Sequence, residues 1–256
     1  MIHQTAIVHP NAKLAADVEV GPYSIIGEHV EIGAGTVVGP HVVINGHTRI
    51  GKSNHIFQFC SLGEIPQDKK YAGEPTRLEI GDNNTIREFC TFNLGTIQDG
   101  GLTSVGNDNW IMAYVHIAHD CHVGSHTIMA NGATLAGHVY VHDWVIIGGL
   151  SGVHQFVRIG AHAMTGFQSR ITQDVPPYFT VAGNPVEAHG INAEGLRRRG
   201  YDAAAIAAIK NAYKTLYKSG LSFVDAQAVL QTQVAAHPEL NLLVEFLASS
   251  QRGIVR

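Results

Sequence analysis

The chain has 256 residues, of which 45% are hydrophobic and only 15% are charged, compared with about 25% charged in an average soluble domain. Its 28 glycines and 9 prolines are too few for collagen or for a disordered low-complexity chain. A formal net charge of −4 provides no general basic field, so the composition excludes bulk electrostatic binding to nucleic acid or anionic membranes. The length allows one or two folded domains.

Cysteine use and the N-terminal sequence predict the cellular location. The three cysteines, Cys60, Cys90 and Cys121, include no CxxC pair, which fits a reducing compartment better than a disulfide framework. The N-terminal segment lacks the basic start and apolar core of a signal peptide, and no run of about 18 apolar residues predicts a membrane span. We therefore expect a cytoplasmic protein.

A hydrophobic residue recurs at every sixth position over residues 2–62. The same step resumes over residues 80–92 and, almost without exception, over residues 105–171, and glycine often follows at once, as at Gly21 and Gly51. A period of six fits neither a helix nor simple strand alternation, so each unit must combine a short strand with a corner. The repeat predicts a parallel β-helix with its aliphatic side chains pointing into a narrow core.

The glycine beside each aliphatic residue is expected to supply backbone angles at the corner that a side chain would disfavour. The repeat resembles that of hexapeptide-repeat proteins, which implies three hexapeptides in each coil and a left-handed sense. Successive coils of such a β-helix stack about 4.8 Å apart.

Two segments interrupt the repeat. The step from Leu62 to Ile80 is 18 residues, which is one whole coil, so residues 63–79 can loop out without moving the faces. A second interruption predicts an excursion around residues 95–104, which are rich in glycine, aspartate, serine and threonine. Loops that leave a rigid scaffold often carry function.

The repeat stops at residues 174–177, which read DVPP, and the composition then changes. Asp202 is suited to cap a helix. The predicted helices cover residues 202–218, 223–236 and 238–250. The fold class is therefore mainly β, a left-handed parallel β-helix over residues 1–186 followed by a C-terminal α-helical domain over residues 187–256.

Residues 116–122, HIAHDCH, contain three histidines spaced three apart. Residues six or eighteen apart line up in a β-helix, so His116, His119 and His122 should not converge on one metal ion. The alternative use is general-base catalysis by one neutral imidazole, oriented by a neighbour such as Asp120 or by a backbone carbonyl.

Six strings in the chain, QDKKYAGEPTR, HIAHDC, LAGHV, GVHQF, AGNP and GINAEGLRRRG, resemble those of bacterial UDP-N-acetylglucosamine O-acyltransferases, the first enzymes of lipid A biosynthesis. The resemblance runs from the first repeat to the C-terminal RGIVR. It implies a homotrimer with active sites in clefts between neighbouring β-helices. It also implies transfer of an (R)-3-hydroxyacyl group from acyl carrier protein to the 3-hydroxyl of UDP-N-acetylglucosamine, without a metal or another cofactor.

The resemblance assigns roles to individual positions. His119 matches the general base, and Gly137 matches the residue whose backbone N–H stabilises the oxyanion. Asp68 and Lys70 match residues that position the acceptor and the acyl hydroxyl. The other matched positions bind the sugar nucleotide, its diphosphate or the acyl chain, and they are His116, His138, His154, Gln155, Asn192, Glu194, Arg198 and Arg199. A local basic patch suited to the acidic acyl carrier protein is formed by Arg197, Lys210, Lys214 and Lys218.

Two departures from the family pattern affect specificity. Asn93 and Leu94 stand where many members have histidine and arginine, which keeps open an acceptor that carries a 3-amino group. Phe167 stands where the family sets acyl-chain length and where glycine admits a long chain. The phenyl ring therefore predicts a shortened hydroxyacyl chain.

Two other classes of function are compatible with a β-helix. A trimeric zinc carbonic anhydrase would need a histidine pair five apart, a spacing that His119 and His122 do not have. A non-catalytic scaffold would keep the hexapeptides but would need none of the polar strings.

Overall fold

The computed structural model describes residues 1–256. Its 27 strands are two to five residues long, and they are β1 (Ile7–Val8), β2 (Lys13–Leu14), β3 (Glu19–Val20), β4 (Ile25–Ile26), β5 (Glu31–Ile32), β6 (Val37–Val38), β7 (Val43–Ile44), β8 (His47–Ile50), β9 (His55–Ile56), β10 (Ser61–Glu64), β11 (Arg77–Ile80), β12 (Thr85–Ile86), β13 (Thr91–Asn93), β14 (Leu102–Val105), β15 (Trp110–Ile111), β16 (His116–Ile117), β17 (His122–Val123), β18 (Ile128–Met129), β19 (Thr134–Leu135), β20 (Tyr140–Val141), β21 (Ile146–Ile147), β22 (Gly152–Val153), β23 (Arg158–Ile159), β24 (Met164–Thr165), β25 (Arg170–Ile171), β26 (Phe179–Ala182) and β27 (Glu187–Ile191). The helices are α1 (Ala193–Arg198), α2 (Ala203–Tyr217), α3 (Phe223–Gln233) and α4 (Asn241–Ser249).

Successive strands lie on successive faces of a three-sided prism. In the coils, each strand therefore pairs with the strand three places earlier in the chain, which lies on the same face. Face 1 has the order β1-β4-β7-β10-β13-β16-β19-β22-β25, face 2 the order β2-β5-β8-β11-β14-β17-β20-β23, and face 3 the order β3-β6-β9-β12-β15-β18-β21-β24-β26-β27. Pairing between successive coils is parallel, with Ile7 opposite Ile25, eighteen residues later. The predicted left-handed parallel β-helix is confirmed.

Three rows of corners join the faces, and each is named by the faces that it joins. Corner 1–2 includes residues 118–121, 136–139 and 154–157, and corner 2–3 includes residues 142–145 and 160–163. Corner 3–1 includes residues 148–151 and 166–169. Because the coil repeats every 18 residues here, a corner residue lies directly over the equivalent residue of the next coil.

The aliphatic residues of the repeat fill the prism. Ile44, Ile56 and Ile117 are each fully buried, and they belong to one hydrophobic cluster of 40 buried residues. A second cluster of 14 residues joins the C-terminal helices to Tyr178 and Phe179. Burying apolar surface stabilises a fold by about 25 cal/mol for each Å². This core is therefore the main source of stability.

The expected role of the repeat glycines is wrong. Positive φ angles occur two residues after the glycine, at Tyr23 (59°) and Ser53 (55°), rather than at Gly21 and Gly51. The glycine is required by space instead, because a Cβ at Gly33 would lie 2.7 Å from the carbonyl carbon of Gly51 in the next coil. No side chain fits where two coils approach so closely.

The two excursions begin and end in strands. β10 continues to Glu64 and β11 begins at Arg77, so part of the predicted segment 63–79 is sheet. The expectation that this segment spans one whole coil is wrong, because β10 lies on face 1 and β11 on face 2. Between β13 and β14 the second excursion contains a short 3₁₀ turn, Ile97–Asp99.

The C-terminal region is less helical than predicted. β27 pairs antiparallel with β26. It lies after residue 186, in the part of the chain predicted to be the helical domain. The domain boundary at residue 186 stays a prediction. Asp202 caps α2 by accepting from the N–H of Ala205, as expected, whereas α1 was not predicted. The third predicted helix begins as a 3₁₀ turn, Pro238–Leu240, before α4, and α3 ends at Gln233, short of residue 236. The longest helix, α2, has 15 residues, and none of the helices meets the length and hydropathy needed to cross a bilayer.

The close approach of the coils predicts a difference between two glycines. Gly33→Ala should lower the free energy of unfolding by about 1–3 kcal/mol, because the added methyl overlaps the next coil's backbone. Gly152→Ala is the matched control, since no atom lies within 4 Å of its added Cβ, and it should change stability by less than about 0.5 kcal/mol. Chemical denaturation at one protein concentration measures both, and equal effects would contradict the steric role.

Candidate active site

Corner 1–2 brings the predicted base and the predicted oxyanion donor together. His119 lies in one coil and Gly137 in the next, eighteen residues later. A Cβ at Gly137 would lie 2.6 Å from Cε1 and 2.8 Å from Nε2 of His119, so only glycine fits beside the imidazole. The Gly137 N–H donates to no acceptor within the chain, and the residue is buried.

A buried carboxylate orients His119. Oδ2 of Asp120 is 2.8 Å from Nδ1 of His119, and the Asp120 side chain is completely buried. Asp120 also accepts hydrogen bonds from the backbone N–H and the hydroxyl of Thr96, at 2.7 and 2.6 Å. Burial alone would raise the pKa of Asp120, but the hydrogen bonds from His119 and Thr96 outweigh it and hold the pKa below its ordinary value.

The ionised Asp120 fixes the tautomer of His119. A carboxylate accepts but does not donate, so the proton of neutral His119 lies on Nδ1 and the lone pair lies on Nε2. The chain offers no hydrogen-bond partner to that Nε2. The imidazole is therefore arranged as a general base next to a free N–H donor, which are the two groups that acyl transfer needs.

A second imidazole completes this corner. The ring of His138 meets His119 edge to face, with centroids 5.1 Å apart, and it stacks on Phe156 at 4.4 Å. His138 also lines a cleft of about 1110 Å³ together with Asp68 and Lys70 of the first excursion. The structure thus brings these two loop residues to the same cleft as His138 and Phe156 of the corner.

Three more predicted site residues lie near His119, one on face 1 and two in the same corner. His116 lies on β16, with Nδ1 2.7 Å from the hydroxyl of Thr91, and burial lowers its pKa. His154 and Gln155 are exposed two coils above His119. Both are open to a ligand that reaches the corner from face 1.

The histidine string does not converge, as predicted, but a different trio does. His122 lies on face 2, where its Nδ1 is 2.8 Å from the hydroxyl of Ser104. The groups whose donor atoms lie within 4.8 Å of one another, and so could hold a metal ion, are His119, Asp120 and His138. Both imidazoles of this trio already bond a carboxylate through Nδ1, which accounts for the cluster through hydrogen bonding alone.

The predicted nucleotide segment lies elsewhere, on α1 beside corner 2–3. Asn192 is buried, caps α1 by accepting from the N–H of Gly195, and donates to the carbonyl of His162. Glu194 pairs with Arg198 at 3.0 Å and also with its neighbour Arg197. Asn192 and Glu194 therefore have structural partners in the chain, and their predicted contacts with a substrate stay predictions.

Arg199 belongs to an aromatic cluster that sequence reasoning missed. Its guanidinium lies 5.2 Å from the ring centroid of Trp144 and 3.4 Å from Nδ1 of His162. Burial, followed by the charge of Arg199, lowers the pKa of His162 to about 4, so this imidazole is neutral at pH 7. Trp144 and His162 are eighteen residues apart, and stepping along the sequence by one coil would have found the pair.

Asn93 and Leu94 are buried beneath the first excursion instead of lining a cleft. Asn93 donates to the carbonyl of Ile65 at 2.9 Å, and Leu94 belongs to the prism core. Neither side chain is exposed, but the Oδ1 atom of Asn93 has no hydrogen-bond partner in the chain. Their effect on contacts with the nucleotide stays a prediction.

Phe167 lies at corner 3–1, where its side chain is 65% exposed and its ring would touch a Cβ added at Gly149. The same corner carries a ladder of stacked rings in the lower coils, formed by Tyr23, His41, Phe59, Phe89 and Tyr114. The predicted site residues of one chain therefore occupy three different corners: His119 at corner 1–2, Arg199 beside corner 2–3, and Phe167 at corner 3–1.

Comparison with known proteins accounts for both the prism and the helices. A family model described as UDP N-acetylglucosamine O-acyltransferase, domain 2, matches residues 174–255, and a bacterial transferase hexapeptide model matches residues 1–34 and 103–137. The acyl-[acyl-carrier-protein]--UDP-N-acetylglucosamine O-acyltransferase of Thiobacillus denitrificans is 62% identical over 255 residues, covering 100% of this chain and 99% of the relative. The enzyme of the same name from Herminiimonas arsenicoxydans is 60% identical over 260 residues, with the same coverage.

Solved structures agree over the full length. LpxA from Acinetobacter baumannii superposes with a TM-score of 0.97 at 52% identity, covering 100% of this chain and 99% of that one. UDP-N-acetylglucosamine acyltransferase from Francisella novicida gives a TM-score of 0.98 at 43% identity, covering 100% and 94%. The chain belongs to the acyl-[acyl-carrier-protein]--UDP-N-acetylglucosamine O-acyltransferase family.

Proposed function

We propose that the protein transfers an (R)-3-hydroxyacyl group from acyl carrier protein to the 3-hydroxyl of UDP-N-acetylglucosamine, the first step of lipid A biosynthesis. The observation that carries the proposal is the arrangement at corner 1–2. The buried Asp120 carboxylate holds His119 with its Nε2 free. Gly137 packs directly against this imidazole, and its N–H has no acceptor in the chain. Membership of the family supplies the two substrates by analogy.

The geometry supports direct transfer. Nε2 of His119 takes the proton of the sugar hydroxyl as its oxygen attacks the thioester carbonyl carbon. The Gly137 N–H donates to the oxyanion of the tetrahedral intermediate, an interaction that can lower the barrier by about 3 kcal/mol. When the intermediate collapses, the C–S bond breaks and the imidazolium returns the proton to the departing thiolate, so that the base is regenerated.

No covalent acyl-enzyme is needed in this scheme. Cys121 is the cysteine nearest to the base in sequence, and it is fully buried. Burial raises the pKa of its thiol to about 12, which keeps it protonated and a poor nucleophile at pH 7. Cys121 therefore serves as a small core residue.

A hydroxyl acceptor is favoured over its 3-amino analogue. Asn93 and Leu94, whose identity raised the question, are buried. Asn93 donates to the carbonyl of Ile65 in the first excursion, and its Oδ1 has no partner. Their difference from the family pattern therefore alters the support of the first excursion more directly than the polarity of the site. The 3-amino sugar remains the acceptor to try if the hydroxyl sugar is not turned over.

The working unit proposed here is a homotrimer with shared sites. Within one chain the base, the arginine of α1 and Phe167 lie on three different corners, so one prism does not offer them to a single small substrate. Corner 3–1 also exposes the apolar side chains of Phe59, Phe89 and Tyr114, and a row of this kind is typical of an interface. Two corners that meet between neighbouring prisms would complete the site.

The basic face of α2 suits an acidic protein partner. Lys210, Lys214 and Lys218 lie one helical turn apart and are exposed, and none of them pairs with a carboxylate. Such a patch can steer an acidic acyl carrier protein and raise its association rate.

A cytoplasmic location and the absence of a metal or another cofactor remain predictions from the sequence.

Turnover tests the proposed function. We expect product mass analysis to show 3-O-acylated sugar nucleotide when the protein is mixed with UDP-N-acetylglucosamine and a pool of 3-hydroxyacyl carrier proteins. His119→Ala should lower the rate by about a hundredfold to ten-thousandfold, because it removes the general base, whereas His9→Ala at an exposed coil should not. Turnover by His119→Ala at the wild-type rate would contradict the role of the base.

A zinc-dependent carbonic anhydrase activity that chelation abolishes would favour the other class of function.

Phe167 is proposed to shorten the acyl chain that the site prefers. In the same pooled assay, Phe167→Gly should shift the product distribution toward longer chains, because it removes a ring that occupies space. Phe167→Leu is the conservative control, and it should shift the distribution less. An unchanged distribution in Phe167→Gly would show that the ring points away from the acyl groove.

Mixing two inactive variants tests whether sites are shared between chains. His119→Ala and Arg199→Ala should each be nearly inactive alone, since one lacks the base and the other the nucleotide contact. Trimers assembled from an equal mixture should recover about a quarter of the wild-type sites, because some interfaces combine two intact surfaces. Each variant mixed with itself is the control. No recovery, together with a monomeric wild type in sedimentation, would contradict the shared site.

A further inference from the structure

The proposed acyl transfer assigns no role to the carboxylate that bonds His138. Nδ1 of His138 is 2.8 Å from Oδ2 of Asp99, and the two side chains are 13% and 40% exposed. Asp120 is more distant, 3.8 Å from the same nitrogen. Because a carboxylate accepts and does not donate, neutral His138 carries its proton on Nδ1 and its lone pair on Nε2. That Nε2 has no hydrogen-bond partner in the chain.

The aromatic contacts of His138 do not determine which nitrogen points where. Its ring lies parallel to Phe156, with an interplanar angle of 8°, and perpendicular to His119, at 88°. Stacking fixes the plane of the imidazole, but it is equally good after the ring flips about its Cβ–Cγ bond. The hydrogen bond to Asp99 is the contact that distinguishes the two orientations.

Asp99 is held in place by the same buried carboxylate that orients the base. Asp120 accepts from both the N–H and the hydroxyl of Thr96, and Thr96 precedes the 3₁₀ turn that ends at Asp99. The N–H of Asp99 donates back to the Thr96 carbonyl at 3.2 Å, and Gly100 follows with a φ of 76°. Asp120 thus orients His119 directly and supports the turn that carries Asp99.

We propose that Asp99 is a positioning residue for His138. It selects the ring orientation and the tautomer in which Nε2 is a free acceptor in the cleft that both residues line. An acceptor at that point suits a substrate hydroxyl, which can donate to it. This inference rests on the proposed acyl transfer, and it places a second imidazole–carboxylate pair beside the His119–Asp120 pair.

Two simpler roles for Asp99 make different predictions. An exposed ion pair with no catalytic consequence would contribute little, so its removal would leave turnover unchanged. A purely structural role in the second excursion would slow turnover whether or not residue 138 is a histidine. Positioning alone requires that the effect of Asp99 be transmitted through the His138 ring.

A double-mutant cycle separates these roles. Asp99→Asn and Asp99→Ala should each lower kcat/KM about tenfold or more, the scale expected for a lost hydrogen bond to a charged group, and Asp99→Glu should recover part of it. In a His138→Gln background, Asp99→Asn should have no further effect, because the group it positions is gone. Asp108→Asn is the matched control, since its carboxylate lies 3.9 Å from His126, outside the cleft lining. A full additive loss in the His138→Gln background, or no loss in wild type, would overturn the proposal.

Nitrogen NMR of histidine-labelled protein tests the same inference without turnover. The His138 signals, identified by their loss in His138→Gln, should show a protonated Nδ1 and an unprotonated Nε2 at mildly alkaline pH. Asp99→Asn should move the ring toward the other tautomer. The same tautomer in both proteins, or a protonated Nε2 in wild type, would overturn the proposal. A wild type that shows the expected tautomer but no acyl transfer would instead contradict the proposed function.

Discussion

The stacking of coils, which repeat every 18 residues except where an excursion leaves the prism, determines which side chains of this protein become neighbours. Parallel backbone hydrogen bonds hold each coil over the next, so residues far apart in sequence meet only if their positions match. Asp120, His138 and Phe156 form such a column at corner 1–2. The same close approach leaves no space for a Cβ at Gly33 or Gly137. Stability and the site therefore depend on one geometric constraint.

Within that geometry, the buried Asp120 carboxylate organises the chemistry. Its burial is unfavourable for a charge, and hydrogen bonds from Thr96 and His119 offset that penalty. The consequence is an imidazole with a defined tautomer and a free Nε2, packed directly against Gly137. Groups fixed in this way need little reorganisation when charge develops on the substrate. Low-polarity surroundings raise the pKa of the Cys121 thiol and keep it protonated. The same surroundings strengthen the hydrogen bond between Asp120 and His119.

The period of six predicts a parallel β-helix and its core, because it leaves few other ways to bury the aliphatic residues. The three sides of the prism and its handedness follow from the resemblance to hexapeptide-repeat proteins. The sequence also predicts the start of α2, since the cap at Asp202 is a local interaction. It misses β27 and α1, whose formation depends on pairing with β26 and on packing against the prism rather than on any repeat. The role of the repeat glycines was misjudged because the approach of the next coil is not visible in a single hexapeptide.

For the site, adjacency in sequence predicted Asp120 as a partner of His119, and the structure shows that contact. The role of Gly137 stays a prediction from the family resemblance. The contact between Asp99 and His138 spans 39 residues and crosses an excursion, so no local pattern could reveal it. Counting by whole coils would have separated Phe167 from the base, but Arg199 lies beyond the repeat on α1, so its position required the three-dimensional structure.

Direct transfer by the corner 1–2 base is tested most directly by the intact mass of the protein during turnover. The protein is mixed with 3-hydroxyacyl carrier protein, first alone and then with UDP-N-acetylglucosamine, and sampled by rapid quenching. Direct transfer predicts that the protein keeps its unmodified mass in both mixtures, and that acylated sugar nucleotide forms only when both substrates are present. An acylated protein that accumulates without the sugar and disappears when the sugar is added would contradict it.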